Sequence, residues 1–315
     1  MRNSRLPNLV SIVGPTAVGK TDLAITLACA LNGEIISADS RQVYRRMDIG
    51  TAKPEPEQLK LVPHHLVDVL EPDHWLSLAE FQERAFTAIK GVHHQDKLPI
   101  LVGGTGQYVR SVLEGWGIPR VGPHHHLRVD FESFADIYGN MVLHERLASV
   151  DPQAASSIDY RNTRRVVRAL EVHRVSGRPI SELQHRNPPR YRVLVVGLTM
   201  PRSALYQRID SRVDAMIAAG WLDEVRGLVD AGLSWDAPAL SSLGYPQIGA
   251  ALRGEVTLEQ AAHMIKIETH RFVRQQYNWF PLDDPSITWF DVSQTGADEI
   301  VAFVQAWLTG TLALG

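Results

Sequence analysis

Gly14-Pro15-Thr16-Ala17-Val18-Gly19-Lys20-Thr21 fits the pattern G-x-x-x-x-G-K-[ST] and directly follows an apolar run, Leu9-Val10-Ser11-Ile12-Val13, that reads as a buried strand. From Leu23 to Leu31 the chain continues as an amphipathic helix. Strand, glycine-bounded turn and helix in that order predict a phosphate cradle. Glycines at both ends let the backbone wrap so that successive N–H groups point at phosphate oxygens, and the helix start adds the positive end of its dipole. Lys20 supplies a point charge, and the Thr21 hydroxyl can reach a Mg²⁺ that bridges two phosphates. The motif calls for a diphosphate or triphosphate, as in ATP- and other nucleotide-binding proteins, and leaves open what is done with it. The bland alternative is an ordinary glycine-rich turn; the strand before it and the helix after it count against that.

The rest of the composition narrows the class. With 315 residues, 44% hydrophobic and 21% charged, the chain is long enough for one large domain or two unequal ones. Its single cysteine, Cys29, excludes an intrachain disulfide framework and leaves no Cys pair for zinc, which suits a reducing cytoplasm. No apolar run approaches the roughly 20 residues that span a bilayer, and Met1 to Pro7 lacks a signal-peptide core, so a soluble, unprocessed chain away from the membrane is expected. A net charge of -3 excludes general adhesion to nucleic acid but not a local basic surface.

Downstream, Gly33-Glu34-Ile35-Ile36-Ser37-Ala38-Asp39-Ser40 reads as a second strand ending on a carboxylate and a hydroxyl. Strand ends of a parallel α/β sheet open onto the edge that carries the phosphate loop, so Asp39 is expected to face the ligand; the alternative is a cap on the next turn. Lys53 could touch phosphate, but its position favours a solvated lysine. Ser77-x-x-Glu80 opens a helix as a capping box, and Thr257-x-x-Gln260 opens another. Leu98 to Val102 forms a further strand and delivers Gly103-Gly104-Thr105-Gly106, a second source of backbone donors with the Thr105 hydroxyl beside them.

From Gly115 to Pro189 the strand pattern disappears. The predicted fold is an α/β, P-loop NTPase-like parallel sheet core flanked by helices, residues 1–117 and 190–315, with a helical insertion domain at 118–189. His124-His125-His126 is not a structural metal site, because adjacent side chains diverge and no acidic cluster accompanies them. Arg161, Arg164, Arg165 and Arg168 share a helical face with no acidic residue interleaved, opposite Val167 and Leu170. That stripe is either a phosphate-contacting surface or a solvated face. Arg208 and Arg212, one turn apart, either close over the phosphates or lie on a plain surface helix. Lys266, His270 and Arg274 stack at i+4 along a late helix.

These residues resemble a known family. Gly14-Pro15-Thr16-Ala17-x-Gly19-Lys20-Thr21, Asp39-Ser40-Arg41-Gln42-Val43-Tyr44, Met47-Asp48-Ile49-Gly50-Thr51-Ala52-Lys53-Pro54 and Gly103-Gly104-Thr105-Gly106 are similar to motifs of the bacterial tRNA dimethylallyltransferases, also called tRNA isopentenyltransferases. So are Arg164 to Val172, Gly244-Tyr245 and Gln276-x-x-Trp279-Phe280, and the resemblance runs along nearly the whole chain. It implies transfer of a dimethylallyl group from dimethylallyl diphosphate to N6 of adenosine 37 in tRNA, with Mg²⁺. Gly14 to Thr21 and Arg208 would hold the diphosphate, Thr21 the metal. Asp39 would take the N6 proton, Thr105 would bond near the reacting atoms, and Arg212 would contact the diphosphate. Asp39, Ser40, Arg41, Gln42, Thr105, Arg164, Arg165, Val166, Val167, Arg168, Gly244 and Tyr245 would meet the anticodon stem-loop, with the adenosine flipped into a channel between core and insertion. A cytoplasmic monomer is expected. Arg46 departs from the family, which more often has glycine there; Gln107, His270 and Gln275 depart as well. Rival readings are an isopentenyltransferase for free adenine nucleotides, an ATP-using P-loop kinase, and an RNA-binding module without chemistry.

Overall fold

The computed structural model describes residues 6–311; the reading of Met1 to Arg5 lies outside them. The chain divides into two compact units, residues 1–113 with 190–315 and residues Glu114–Pro189. The first unit opens with β1 (Asn8–Val13), α1 (Lys20–Leu31), β2 (Gly33–Ser37), α2 (Pro56–Leu61), β3 (His64–His65), α3 (Leu78–His94), β4 (Leu98–Val102) and α4 (Gly106–Leu113). The second unit holds α5 (His125–Tyr138), α6 (Asn140–Val150), α7 (Pro152–Ser157), α8 (Thr163–Ser176) and α9 (Ile180–Leu183). The first unit then resumes with β5 (Arg192–Thr199), α10 (Arg202–Ala218), α11 (Trp221–Asp230), a 3₁₀ turn at Pro238–Ser241, α12 (Tyr245–Leu252), α13 (Leu258–Trp279), β6 (Thr288–Asp291) and α14 (Ala297–Thr309).

The strands form one parallel sheet in the order β3-β2-β4-β1-β5-β6. Helices cover both faces, so the central strands are buried on both sides and read as nearly continuous apolar runs. Leu9, Val13, Ile36 and Leu101 point into one core with Phe81 and Ile89 of α3. Val10, Ile12, Ile35 and Ile100 point into the other with Leu23 and Leu27 of α1 and Val304 of α14. Each such side chain contributes about 1.5–3 kcal/mol by leaving water. The edge strand β3 escapes sequence reading, because two histidines carry no alternation to detect.

Register fixes the site. Ser37 and Ile12 both stand level with Val102, and Val13 with Gly197. The turns after β1, β2 and β4 therefore leave the sheet side by side. Two hydrogen bonds hold them there, Ala38 N–H to Val102 O at 2.7 Å and Gly103 N–H to Ile12 O at 3.1 Å.

The second unit packs Leu143, Leu147, Val166, Val167 and Val172 into its own core. It begins at Glu114, four residues before the boundary expected at 118. The cause is backbone pairing of Gly115 O with Asn187 N–H and of Gly117 N–H with His185 O, which fastens both ends of the excursion together. Asn162 caps α8 through the Arg165 amide, leaving Arg161 outside the helix. Thr257 and Gln260 form the expected reciprocal cap, whereas at α3 Ser77 accepts from the Glu80 amide while the Glu80 carboxylate turns to Arg84.

Candidate active site

The phosphate loop ends on Gly19 at φ 106°, a left-handed conformation natural to glycine, and α1 starts there with no side chain capping its first turn. Those first-turn amides have no side-chain cap among the described residues, the arrangement that binds anions. Lys20 curls back so that Nζ donates to Pro15 O at 2.7 Å. Val18 is buried in the core beneath the loop, so it contributes backbone and not side chain to the cradle.

Asp39 sits immediately beyond the end of β2. Its Oδ1 accepts the Arg41 amide at 2.8 Å and the Gln42 amide at 3.3 Å, capping the turn, and the residue also lines the cavities beside the phosphate loop. The two amides orient the carboxylate and engage only one of its oxygens. Thr105 is fixed next to it by the Ser40 amide, which donates to Thr105 Oγ1 at 3.3 Å.

Two cavities flank this point. One, of about 600 Å³, is lined by Lys20, Thr21, Asp39, Arg208 and Arg212. The other, of about 580 Å³, is lined by Arg41, Thr105, Ser241, Phe272 and Gln276. They share Thr16, Lys20, Asp39, Gly104 and Arg212 as a common wall. Burial of the Lys20 ammonium, opposed by the Asp39 carboxylate and reinforced by Arg212, pulls its pKa from 10.5 down to about 7. Burial also lowers Arg212, against the raising pull of Asp39 and Asp22. Lys20 and Arg212 share this wall and neither is ion-paired among the described residues, which suits the wall to a polyanion.

Comparisons with known proteins give the chain's relatives. The IPP transferase family model matches residues 42–283. A tRNA dimethylallyltransferase of Chloroflexus aurantiacus is 52% identical over 275 residues, 87% of this chain and 93% of that protein. The chain belongs to the IPP transferase family. Among solved structures, the full-length tRNA isopentenylpyrophosphate transferase of Bacillus halodurans superposes with a TM-score of 0.71 at 40% identity, covering 97% of this chain and 96% of that one. A eukaryotic dimethylallyltransferase acting on tRNA shares the fold at a TM-score of 0.82 and 24% identity, over 96% of this chain and 80% of that one.

Several expected contact residues have other tasks. Val166 and Val167 are buried in the helical core and cannot present side chains to tRNA. Tyr245 is buried as well, and its hydroxyl donates to Glu224 Oε1 at 2.7 Å. Gln42 holds Ser37 Oγ and the carbonyls of Thr51 and Ala52, bracing the loop beside the first cavity. Arg168 is bound to the buried Glu171 at 2.6 Å, and Arg161 to Asp159 at 2.6 Å, so the arginine stripe shrinks to Arg164 and Arg165. Burial raises the Glu171 carboxyl, but hydrogen bonds from Arg128, the His124 amide and Arg168 outweigh it and take it to about 2. Lys53 is not solvated: its ammonium is buried against Asp48, Asp68 at 2.5 Å and Tyr44 O at 2.9 Å, in the wall of the first cavity. On α13, Lys266 pairs with Asp214 and His270 with Asp210 of α10. Arg46 takes φ 63°, which explains why glycine suits that position, and leans on Glu71 at 3.3 Å.

Two residues without a sequence signal shape the site. Glu224 accepts the amides of Asp48 at 2.6 Å, Ile49 at 2.7 Å and Gly50 at 3.2 Å, from up to 176 residues away. Trp221, fully buried, lies so close to Gly50 and Gly244 that a Cβ at either would overlap its ring. Nothing local to Trp221 or Glu224 announces these partners.

Proposed function

We propose that this chain transfers a dimethylallyl group from dimethylallyl diphosphate to N6 of adenosine 37 in tRNA, releasing diphosphate. The observation that carries this is the shared wall of the two cavities, where Lys20 and Arg212 stand beside the free oxygen of Asp39. The diphosphate lies on the phosphate loop in the first cavity, and the acceptor base enters through the second. The N6 lone pair forms a bond to the allylic carbon while the C–O bond breaks, so the electron pair leaves with the diphosphate. Lys20, Arg208, Arg212 and the first-turn amides of α1 stabilise that charge. The second oxygen of Asp39 takes the N6 proton; the amine is a weak nucleophile because its lone pair is delocalised into the ring.

Mg²⁺ belongs to this proposal. The Thr21 hydroxyl and the Asp22 carboxylate line the first cavity, and among the described residues no group of three or more His, Cys, Asp or Glu could hold a metal by itself. That donor set fits Mg²⁺, which takes most of its ligands from substrate phosphates and water. When bound it neutralises charge on the diphosphate. The anticodon stem-loop as the recognised part of tRNA, and action as a cytoplasmic monomer, are parts of the same reading. No helix among the described residues is long and apolar enough to cross a membrane.

The test is incubation with Mg²⁺, dimethylallyl diphosphate and unmodified tRNA carrying adenosine at position 37, followed by mass analysis of the nucleosides. A prenyl mass gain on that adenosine is expected, with Asp39→Ala lowering turnover about 10²–10⁴-fold while tRNA still binds. Gain on free AMP alone overturns the acceptor assignment, and phosphate transfer from ATP overturns the reaction.

A further inference from the structure

Gln276 is nearly fully buried near the end of α13, where an apolar side chain would pack as well. Its amide instead makes two hydrogen bonds to two separate loops. Oε1 accepts the Thr16 amide of the phosphate loop at 2.8 Å, and Nε2 donates to Gly104 O in the turn after β4 at 3.1 Å. The approach is close enough that a Cβ on Gly104 would overlap the Gln276 amide. From Gly104 the chain passes directly to Thr105, whose hydroxyl takes the Ser40 amide beside Asp39. An unbroken series of bonded groups therefore runs from the phosphate loop through Gln276 to the turn that holds Asp39.

We propose that Gln276 is a positioning residue that sets the spacing between the diphosphate cradle and the base Asp39. This rests on the proposed reaction, in which the departing diphosphate and the departing proton are on opposite sides of the attacked bond. The turns after β4 and β2 are each tied at the root by one backbone bond, Gly103 N–H to Ile12 O of β1 and Ala38 N–H to Val102 O of β4. Beyond those roots, among the described residues, Gln276 is the side chain that bonds the phosphate loop to the turn after β4. A primary amide suits the task because one end must accept from an N–H and the other must donate to a carbonyl. An ionised carboxylate there would satisfy Thr16 and oppose Gly104 O. A protonated carboxyl group would satisfy both.

That difference supplies the test. Gln276→Glu and Gln276→Leu are compared with the unaltered chain for single-turnover prenylation of tRNA per folded active site, from pH 5.5 to 8.5, alongside tRNA affinity and thermal melting. Gln276→Leu is expected to lower the rate about 10²-fold, the cost of misplacing reacting groups by around 1 Å, with tRNA affinity within threefold of the original. Gln276→Glu is expected to be as slow at pH 8.5 and to recover relative to the unaltered chain as pH falls and the carboxyl group protonates. A residue that only fills space would change melting and leave the relative rate flat with pH. A flat ratio near one in Gln276→Glu overturns the proposal, even if Gln276→Leu fails to fold. If the unaltered chain prenylates no tRNA, the proposed reaction fails instead.

Discussion

The positive charges around the phosphate loop and those along α13 look alike in sequence and differ in what they touch. Lys20, Arg208 and Arg212 line a cavity and make no ion pair among the described residues. Lys266 and His270 lie on an equally basic stretch, yet each faces a carboxylate of α10. The arginines of the helical unit repeat the contrast within a few residues: Arg168 serves Glu171, while Arg164 and Arg165 are exposed and have no ion pair among the described residues. A cation that lacks a protein carboxylate is poised for a ligand phosphate, and one that has a carboxylate holds the fold. Spacing along the chain does not separate the two, because the deciding partner is contributed by another helix.

The largest effect expected from this contrast is at Lys20. Lys20→Ala should lower single-turnover prenylation about 10²–10³-fold, the scale for loss of one donor to a developing anion. The charge itself gives a second readout. With its pKa near 7 in the free protein, Lys20 is largely protonated below pH 7 and largely neutral above it. A bound diphosphate raises that pKa, so above pH 7 binding should draw a proton onto Lys20 and weaken as pH rises. Calorimetry of diphosphate binding in buffers of different ionisation enthalpy should record more proton uptake at pH 8 than at pH 6, and Lys20→Ala should remove that excess. Equal uptake in both proteins would place the ligand away from Lys20.

How far the molecule was readable from its residues follows the same division. The phosphate loop, the strands from which Asp39 and Thr105 emerge, and the helical excursion are local patterns of period, glycine and length, and they stand where spacing put them. Arg212 also reached the cavity, because one turn of helix carries it there beside Arg208. The tasks of Gln276, Glu224, Trp221 and Lys53 were not legible. Each depends on partners brought together by the tertiary fold, up to 260 residues apart for Gln276 and Thr16. Val166 and Val167 went astray for a related reason, since a motif names a stretch of helix and only packing decides which of its faces is wet.

The intermediate effect lies on α8. Replacing Arg164 and Arg165 with Ala should reduce the slope of log tRNA affinity against log salt by about 1–2, as phosphate contacts are lost, with melting unchanged. Arg168→Ala should do the opposite: it strips a hydrogen-bonded partner from a fully buried carboxylate, although Arg128 and the His124 amide remain. A loss of stability of about 1–3 kcal/mol is expected, seen as a lower denaturation midpoint, with the salt slope nearly intact. If Arg168 moves the slope as much as its exposed neighbours, pairing with Glu171 does not withhold it from tRNA.

The smallest effect is expected where the basic residues are most fully matched. Lys266 is about a quarter exposed and its partner Asp214 mostly exposed, so water screens the pair at 2.7 Å and it contributes no more than about 1 kcal/mol. His270 stacks on Tyr206 with ring centroids 4.0 Å apart while its Nε2 meets Asp210 at 2.9 Å, so its ring is engaged by α10. Lys266→Ala combined with His270→Ala should therefore leave the salt slope of tRNA affinity unchanged and shift melting only slightly. A slope that falls by about 1 would mean that at least one of these side chains exchanges its carboxylate for an RNA phosphate. Possession of a partner in the free protein would then no longer predict which charges bind RNA. The exchange would leave a carboxylate of α10 without its counter-ion, so tRNA binding at low salt would strengthen when Asp210→Asn and Asp214→Asn remove the competitor. Those two substitutions turn the smallest expected effect into a direct measure of whether α10 withholds the basic face of α13 from RNA.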